Sequence, residues 1–271
     1  MLLKDKLIEC KKEGKAILAT NFYNFETLKG VLMAASEVNA PLILQLTKSS
    51  IDYLGLENAL SMARSGLKYY NLEGWVHLDH GDSVELASRC LKAGFDSVMY
   101  DGSELLFDEN IEKTKQVVKL AKVYNANVEA ELGYIAKLGQ PKEKVFYTEA
   151  GDARTFAEET GINALAVAIG TAHGFYKSEP KLDFERLAEI RKECPVPLVL
   201  HGGSGVPGEM VQKAVSLGIC KLNVATEIKN IFMQTLKKLM HENTEIDLRI
   251  VFPPAIEAVS GLVKTKLMLV K

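Results

Sequence analysis

Eight short apolar runs alternate with helical patterns along the whole chain, and this alternation restricts the possible folds more than any other feature. The runs occupy residues 16–20, 41–46, 74–79, 97–100, 127–131, 164–169, 198–201 and 219–223. Between them, residues 26–37, 56–65, 83–93, 110–124, 155–160, 184–192 and 209–216 carry helix-like patterns, and 225–242 and 255–269 follow the last run. Strands separated by helices pair in parallel through right-handed crossovers. Eight such units in 271 residues fit a single α/β domain over 1–271, a closed (β/α)8 TIM barrel with extra C-terminal helices. The alternative is an open doubly wound sheet. That fold usually has fewer strands and a glycine-rich first turn, and no G-x-G-x-x-G follows the first run.

Composition narrows the function classes. A formal net charge of −2 argues against nucleic-acid binding, which normally needs a basic face. No apolar stretch approaches the roughly 20 residues that span a bilayer. The opening residues 1–13 read as an amphipathic helix and not as a signal peptide, so a cytoplasmic location is expected. Cys10, Cys90, Cys194 and Cys220 show no C-x-x-C spacing and read as small buried hydrophobes in a reducing compartment.

The chemistry concentrates where the apolar runs end. Parallel α/β folds place their active sites at the C-terminal ends of strands. Three of the five histidines, His80, His173 and His201, lie at such ends, and three imidazoles can meet around one metal ion with a position left open. Alternation places His77 and Asp79 on one strand face, which points His77 into the barrel interior. Glu129 and Glu131 likewise share a face. In an interior neither ionises cheaply without a partner, whether a metal, a substrate hydroxyl or a lysine or arginine. Asp101 ends the fourth run. The glycine-rich 201–205 and the segment 221–226 follow the seventh and eighth runs, where barrels often bind phosphate. Two irregular stretches, 133–148 and 174–181, have the length of binding loops or lids.

Taken together, L-D-H at 78–80, E-A-E-L-G at 129–133, G-T-A-H-G at 170–174, H-G-G-S-G at 201–205 and N-V-A-T at 223–226 resemble the class II, zinc-dependent ketose-bisphosphate aldolases, nearest their tagatose-bisphosphate-like branch. The matching segments span nearly the whole chain in order. The resemblance implies that His80, His173 and His201 hold the catalytic zinc. It ties Asp101 and Glu131 to a second or alternate site for a metal or monovalent cation. It makes Asp79 the acid/base on the C4 hydroxyl of a ketose bisphosphate that yields dihydroxyacetone phosphate and an aldehyde such as glyceraldehyde 3-phosphate. Asn21, Thr47, Gly174, Lys177, Gly202, Gly203, Ser204, Asn223 and Thr226 are implied to hold the phosphorylated substrate, and a homodimer or homotetramer is expected.

Two regions depart from the family pattern. The family loop after E-A-E-L-G carries paired glycines and an E-D. Here 133–144 lacks both, and Glu143 is its only acidic residue and the candidate replacement. Near the C-terminus, Arg249 aligns with a position that meets the distal phosphate across a subunit interface, whereas a second such arginine is Ile256 here. A distal sulfonate or carboxylate is therefore an alternative substrate feature. Two rival functions are a metal-dependent hydrolase using Asp101, Glu129 and Glu131, and a phosphosugar-binding regulatory subunit without catalysis.

Overall fold

Every barrel strand is buried along nearly its whole length, because a parallel sheet closed on itself and wrapped in helices leaves neither strand face in water. The computed structural model describes residues 1–135, 146–176 and 178–271. In chain order its first half comprises α1 (Leu3–Glu13), β1 (Ile17–Asn21), α2 (Phe25–Glu37), β2 (Leu42–Thr47), α3 (Lys48–Leu54), α4 (Leu56–Tyr69), β3 (Gly74–Gly81), α5 (Val84–Ala93), β4 (Ser97–Tyr100) and α6 (Phe107–Tyr124). The second half comprises β5 (Asn127–Leu132), α7 (Ala150–Thr160), β6 (Ala164–Val167), α8 (Phe184–Glu193), β7 (Leu198–Leu200), α9 (Gly208–Ser216), β8 (Ile219–Val224), α10 (Thr226–Glu242), α11 (Leu248–Val251) and α12 (Pro253–Leu269). Each strand pairs in parallel with the next, and β8 closes onto β1. Among the described residues no helix is long and apolar enough to cross a membrane.

Local signals set the element ends. Asn24 starts α2 with a reciprocal capping box, its Oδ1 accepting from Thr27 N–H at 2.9 Å while Thr27 Oγ1 accepts from Asn24 N–H at 3.2 Å. Ser83 caps α5 through Leu86 N–H at 3.2 Å. Pro253 and Pro254 open α12, where the missing N–H costs nothing. The eight expected strands are all present. The expected set of helices lacked α3, which begins directly at the end of β2, and α11. It also began α7 at 155, where the structure begins it at Ala150.

The barrel interior is graded from apolar to polar. At its N-terminal end Ile17, Ala19, Ile43, Trp75, Ala164, Ala166, Val199 and Cys220 pack against Leu3, Leu7 and Cys10 of α1, so the first helix plugs the barrel floor. Above this floor, Gln45, His77, Glu129 and Lys221 form a wholly buried polar layer, with Gln45 and His77 each two residues past Ile43 and Trp75 of the floor. Next come Asn21, two residues past Ala19, and Asp79, Glu131 and Asn223, each two residues past the polar layer; Asn21, Asp79 and Glu131 line the mouth. The outer strand faces pack with α2, α4–α10 and α12 into the larger core.

Candidate active site

A bulge places two consecutive residues of β3 in the mouth. His77 pairs with Ser97 and Leu78 with Val98, but Gly81 pairs with Tyr100, so β3 carries one extra residue there. Asp79 faces inward in step with His77. Simple alternation would turn His80 outward, but its φ of 49° rotates it back into the mouth. A bulky residue seldom adopts this left-handed conformation, and such strain commonly marks functional positions.

His80, His173 and His201 converge. Their ligand atoms all lie within 4.8 Å of one another, and the same holds for His80, Asp101 and Glu131. His80 Nδ1 lies 2.7 Å from Asp101 Oδ2, and His80 Nε2 lies 3.0 Å from His201 Nδ1. His201 Nε2 lies 2.9 Å from Glu129 Oε1. Glu131 Oε2 is buried without a hydrogen-bond partner among the described residues, 3.8 Å from His201 Nδ1. Three imidazole nitrogens facing one point, with an unsatisfied buried carboxylate oxygen beside them, fit a borderline-soft divalent ion such as zinc with one position open to substrate.

The electrostatics follow from burial and close pairing. Burial alone would lower His80, but Asp79, the hydrogen bond to Asp101 and Glu131 outweigh it and raise its pKa to about 9. Burial drives His201 well below the ordinary histidine range, with His80 and Lys221 adding to the effect. Burial and then the neighbouring Asp101 push Glu131 up to about 8. Asp79 moves the other way. Its burial favours the neutral acid, but the positive charges of His80 and Lys221 and a hydrogen bond from Asn21 hold it below the usual carboxylate range. Asn21 Nδ2 donates to Asp79 Oδ2 at 2.9 Å, and Asn223 Nδ2 approaches Asp79 Oδ1 at 3.3 Å. An ionised carboxylate thus sits next to the imidazole cluster, held by two amides.

A cavity of about 900 Å³ opens over these groups, lined among others by Asn21, Tyr23, Thr47, Lys48, Asp79, His80, Asp101, Glu131, His173, Gly174, Thr226 and Lys229. Such a volume accommodates a sugar phosphate. The glycine loop after β7 forms the cavity's structural support. Gly203 donates its N–H to Asn223 O at 3.0 Å, and Gly205 donates to Glu227 Oε1 at 2.9 Å. Ser204 Oγ accepts from Ala225 N–H at 3.2 Å and lies 3.4 Å from Glu227 N. Gly202, with φ 67°, is packed against the Ala172 backbone. The loop therefore braces β8 and the start of α10; of the residues expected to hold the phosphorylated substrate, Asn21, Thr47, Gly174 and Thr226 line the cavity, and Gly202, Gly203, Ser204 and Asn223 are not among its lining residues.

The sequence matches the family described as fructose-bisphosphate aldolase class-II over residues 2–271. The chain belongs to that family. This class II aldolase is 43% identical over 246 residues to the D-tagatose-1,6-bisphosphate aldolase subunit GatY of Klebsiella oxytoca, covering 89% of this chain and 87% of the relative. Its fold superposes on the YdjI aldolase of Escherichia coli K12 with a TM-score of 0.89 at 33% identity, covering 99% of this chain and 96% of the other. The fructose-bisphosphate aldolase of Campylobacter jejuni shares the fold, with a TM-score of 0.81 at 23% identity over 99% of this chain and 93% of that one.

Other expected site residues fall elsewhere. Arg249 is exposed on α11, forms a fork with Asp247 at 2.7 Å, and is not among the residues lining the cavity. Glu143 and Lys177 lie outside the described residues. Sequence reasoning overlooked Tyr23, Lys48 and Lys229 on the cavity wall. Tyr23 follows the end of β1 and Lys48 the end of β2, so the strand-end rule that identified the histidines would have reached both. Lys229, one turn into α10, carried no such signal. The interior ion pair of Glu129 with Lys221, at 2.8 Å, realises the lysine-or-arginine alternative for that carboxylate.

Proposed function

We propose that this chain is an aldehyde-lyase that reversibly cleaves the C3–C4 bond of a ketose bisphosphate of the tagatose or fructose type, giving dihydroxyacetone phosphate and an aldehyde such as glyceraldehyde 3-phosphate. The observation that carries the reading is the juxtaposition of an ionised Asp79 with three convergent imidazoles at the C-terminal mouth of a barrel. His80, His173 and His201 would hold zinc. Bound there, zinc supplies a Lewis acid that offsets negative charge developing on the ketose oxygens as the bond breaks.

The chain's own groups do the rest. Asp79, fixed by Asn21 and Asn223, accepts the proton of the C4 hydroxyl. The C4–O bond becomes the aldehyde carbonyl, and the electron pair of the C3–C4 bond stays on C3 as an enediolate. Protonation at C3 then completes dihydroxyacetone phosphate, a step assigned from the sequence to Glu143. Thr226 at the N-terminus of α10 and Gly174 offer polar and backbone groups on the cavity wall for the C1 phosphate. Binding that phosphate, remote from the reacting bond, orients C3 and C4 against Asp79. The chain acts as a single barrel domain, in a homo-oligomer of the cytoplasm.

Exchange of the C3 proton of dihydroxyacetone phosphate in heavy water, followed by NMR, tests the half-reaction. The reading requires exchange that a chelator abolishes and added zinc restores. Zinc-loaded protein that neither exchanges this proton nor cleaves tagatose or fructose 1,6-bisphosphate would overturn it in favour of a regulatory subunit.

A further inference from the structure

Beneath the imidazole cluster lies a closed set of polar side chains that the bond cleavage does not use. Lys221, Glu129 and His77 are all 0% exposed. Lys221 Nζ donates to Glu129 Oε2 at 2.8 Å and lies 3.4 Å from His77 Nε2. His77 Nδ1 lies 2.7 Å from Ser97 Oγ, which also accepts from Asn127 Nδ2 at 3.0 Å. The directions are consistent. An ammonium only donates, so His77 Nε2 accepts and its Nδ1–H goes to Ser97. The other oxygen of Glu129 is turned upward to His201 Nε2 at 2.9 Å.

A buried ion pair is seldom retained for stability, since packed apolar residues serve as well. Its position points to another role. A carboxylate cannot donate, so a bond between Glu129 and His201 requires the proton on Nε2, which leaves the Nδ1 lone pair facing His80 and the cavity. Asn223 Nδ2 competes, lying 3.0 Å from the same nitrogen. If Nε2 accepted from that amide, its lone pair would face the Glu129 carboxylate in a fully buried interior. The charge-assisted bond to Glu129 is the stronger of the two, and Asn223 keeps Asp79 as its acceptor.

We infer that Lys221 and Glu129 are positioning residues: Lys221 fixes Glu129 as an oriented anion, and Glu129 locks His201 in the tautomer that presents Nδ1 as a metal ligand. The inference rests on the metal-dependent aldolase reading. It adds that one ligand of the site is set by an ion pair on the opposite side of its ring. A histidine ligand whose outer nitrogen bonds a carboxylate binds metal more tightly, and losing that partner typically costs about 10–100-fold in affinity.

The experiment measures zinc affinity by chelator competition in the full chain and in Glu129→Gln, Lys221→Met and the double variant. It also records the nitrogen NMR shifts of His201 in the zinc-loaded unmutated protein. We expect the proton of His201 on Nε2, and a loss of about 10-fold or more in zinc affinity for Glu129→Gln. The double variant restores charge neutrality but not the anion, so its affinity should stay low. Wild-type affinity in the folded double variant, or a His201 proton found on Nδ1, overturns the inference while leaving the aldolase reading intact. Absence of zinc binding in the unmutated chain overturns both. The NMR measurement needs no substitution and can overturn the inference even where a variant does not fold.

Discussion

His80 Nε2 and His201 Nδ1 face each other at 3.0 Å, and the outer nitrogen of each ring lies against its own carboxylate, Asp101 at 2.7 Å and Glu129 at 2.9 Å. Two lone pairs cannot stay that close unaided, so a cation belongs between the rings. In the metal-free protein that cation is a proton on His80, whose pKa stands at about 9, whereas His201 stays neutral.

Zinc must therefore displace a proton. At pH 7.5 its binding should release about one proton from His80 and up to a second from the neighbouring Glu131, which is raised to about 8. Affinity should rise with pH until His80 is deprotonated, near its pKa of about 9. Calorimetry in two buffers of different ionisation enthalpy counts the protons, and a count near zero would show that the rings are already neutral.

The metal-free fold should lose stability as pH rises. His80 goes from an ordinary 6.5 to about 9 on folding and Glu131 from 4.5 to about 8, so between those limits the folded state holds more protons than the unfolded one. The stability from both groups is fully present below about pH 4.5. The Glu131 share is lost by about pH 8 and the His80 share by about pH 9. In thermal melts with chelator, the midpoint should fall between pH 6.5 and 9. A midpoint that rises across this window would contradict both assignments.

Replacing Asp79 by alanine removes the proton acceptor without removing a metal-facing nitrogen. Turnover on a ketose bisphosphate should drop about 10²–10⁴-fold, the usual contribution of a positioned acid/base group. Zinc content measured by atomic emission should remain that of the parent chain. Unchanged turnover would move the acid/base role to another group.

How far the sequence reveals this site depends on how local each signal is. The barrel is legible because eight buried strands each carry their own apolar run. His173 and His201 are legible because they end such runs. His80 is only partly legible, since its place in the mouth depends on a bulge and a positive φ that period-two alternation does not encode. Lys221 is harder still. The β7–β8 register shifts so that Leu198 faces Ile219 but Val199 faces Lys221. Ile219 therefore packs in the outer core while Lys221, two residues on, points inward. Its pairing with Glu129 is a contact between residues 92 apart, which spacing alone cannot identify.

Tyr176 provides a test of how the loops carrying His173 and His201 are held. Its hydroxyl accepts from Ala172 N–H at 2.7 Å and donates to Gly202 O at 2.9 Å, joining the loop after β6 to the loop after β7. Tyr176→Phe leaves both backbone groups without a partner, at about 1–3 kcal/mol for each that stays buried. It should lower the melting midpoint by several degrees. Gly202→Ala strains the same junction from the other side. Its φ is 67°, and an added Cβ would lie 2.6 Å from Ala172 O, so the loop bearing His173 must move. Both variants loosen the relation between two of the three imidazoles while leaving all three in the chain. Each should weaken zinc binding in chelator competition more than it changes the far-ultraviolet circular dichroism. Equal zinc affinity in both folded variants would mean that the histidines are positioned by their strands alone.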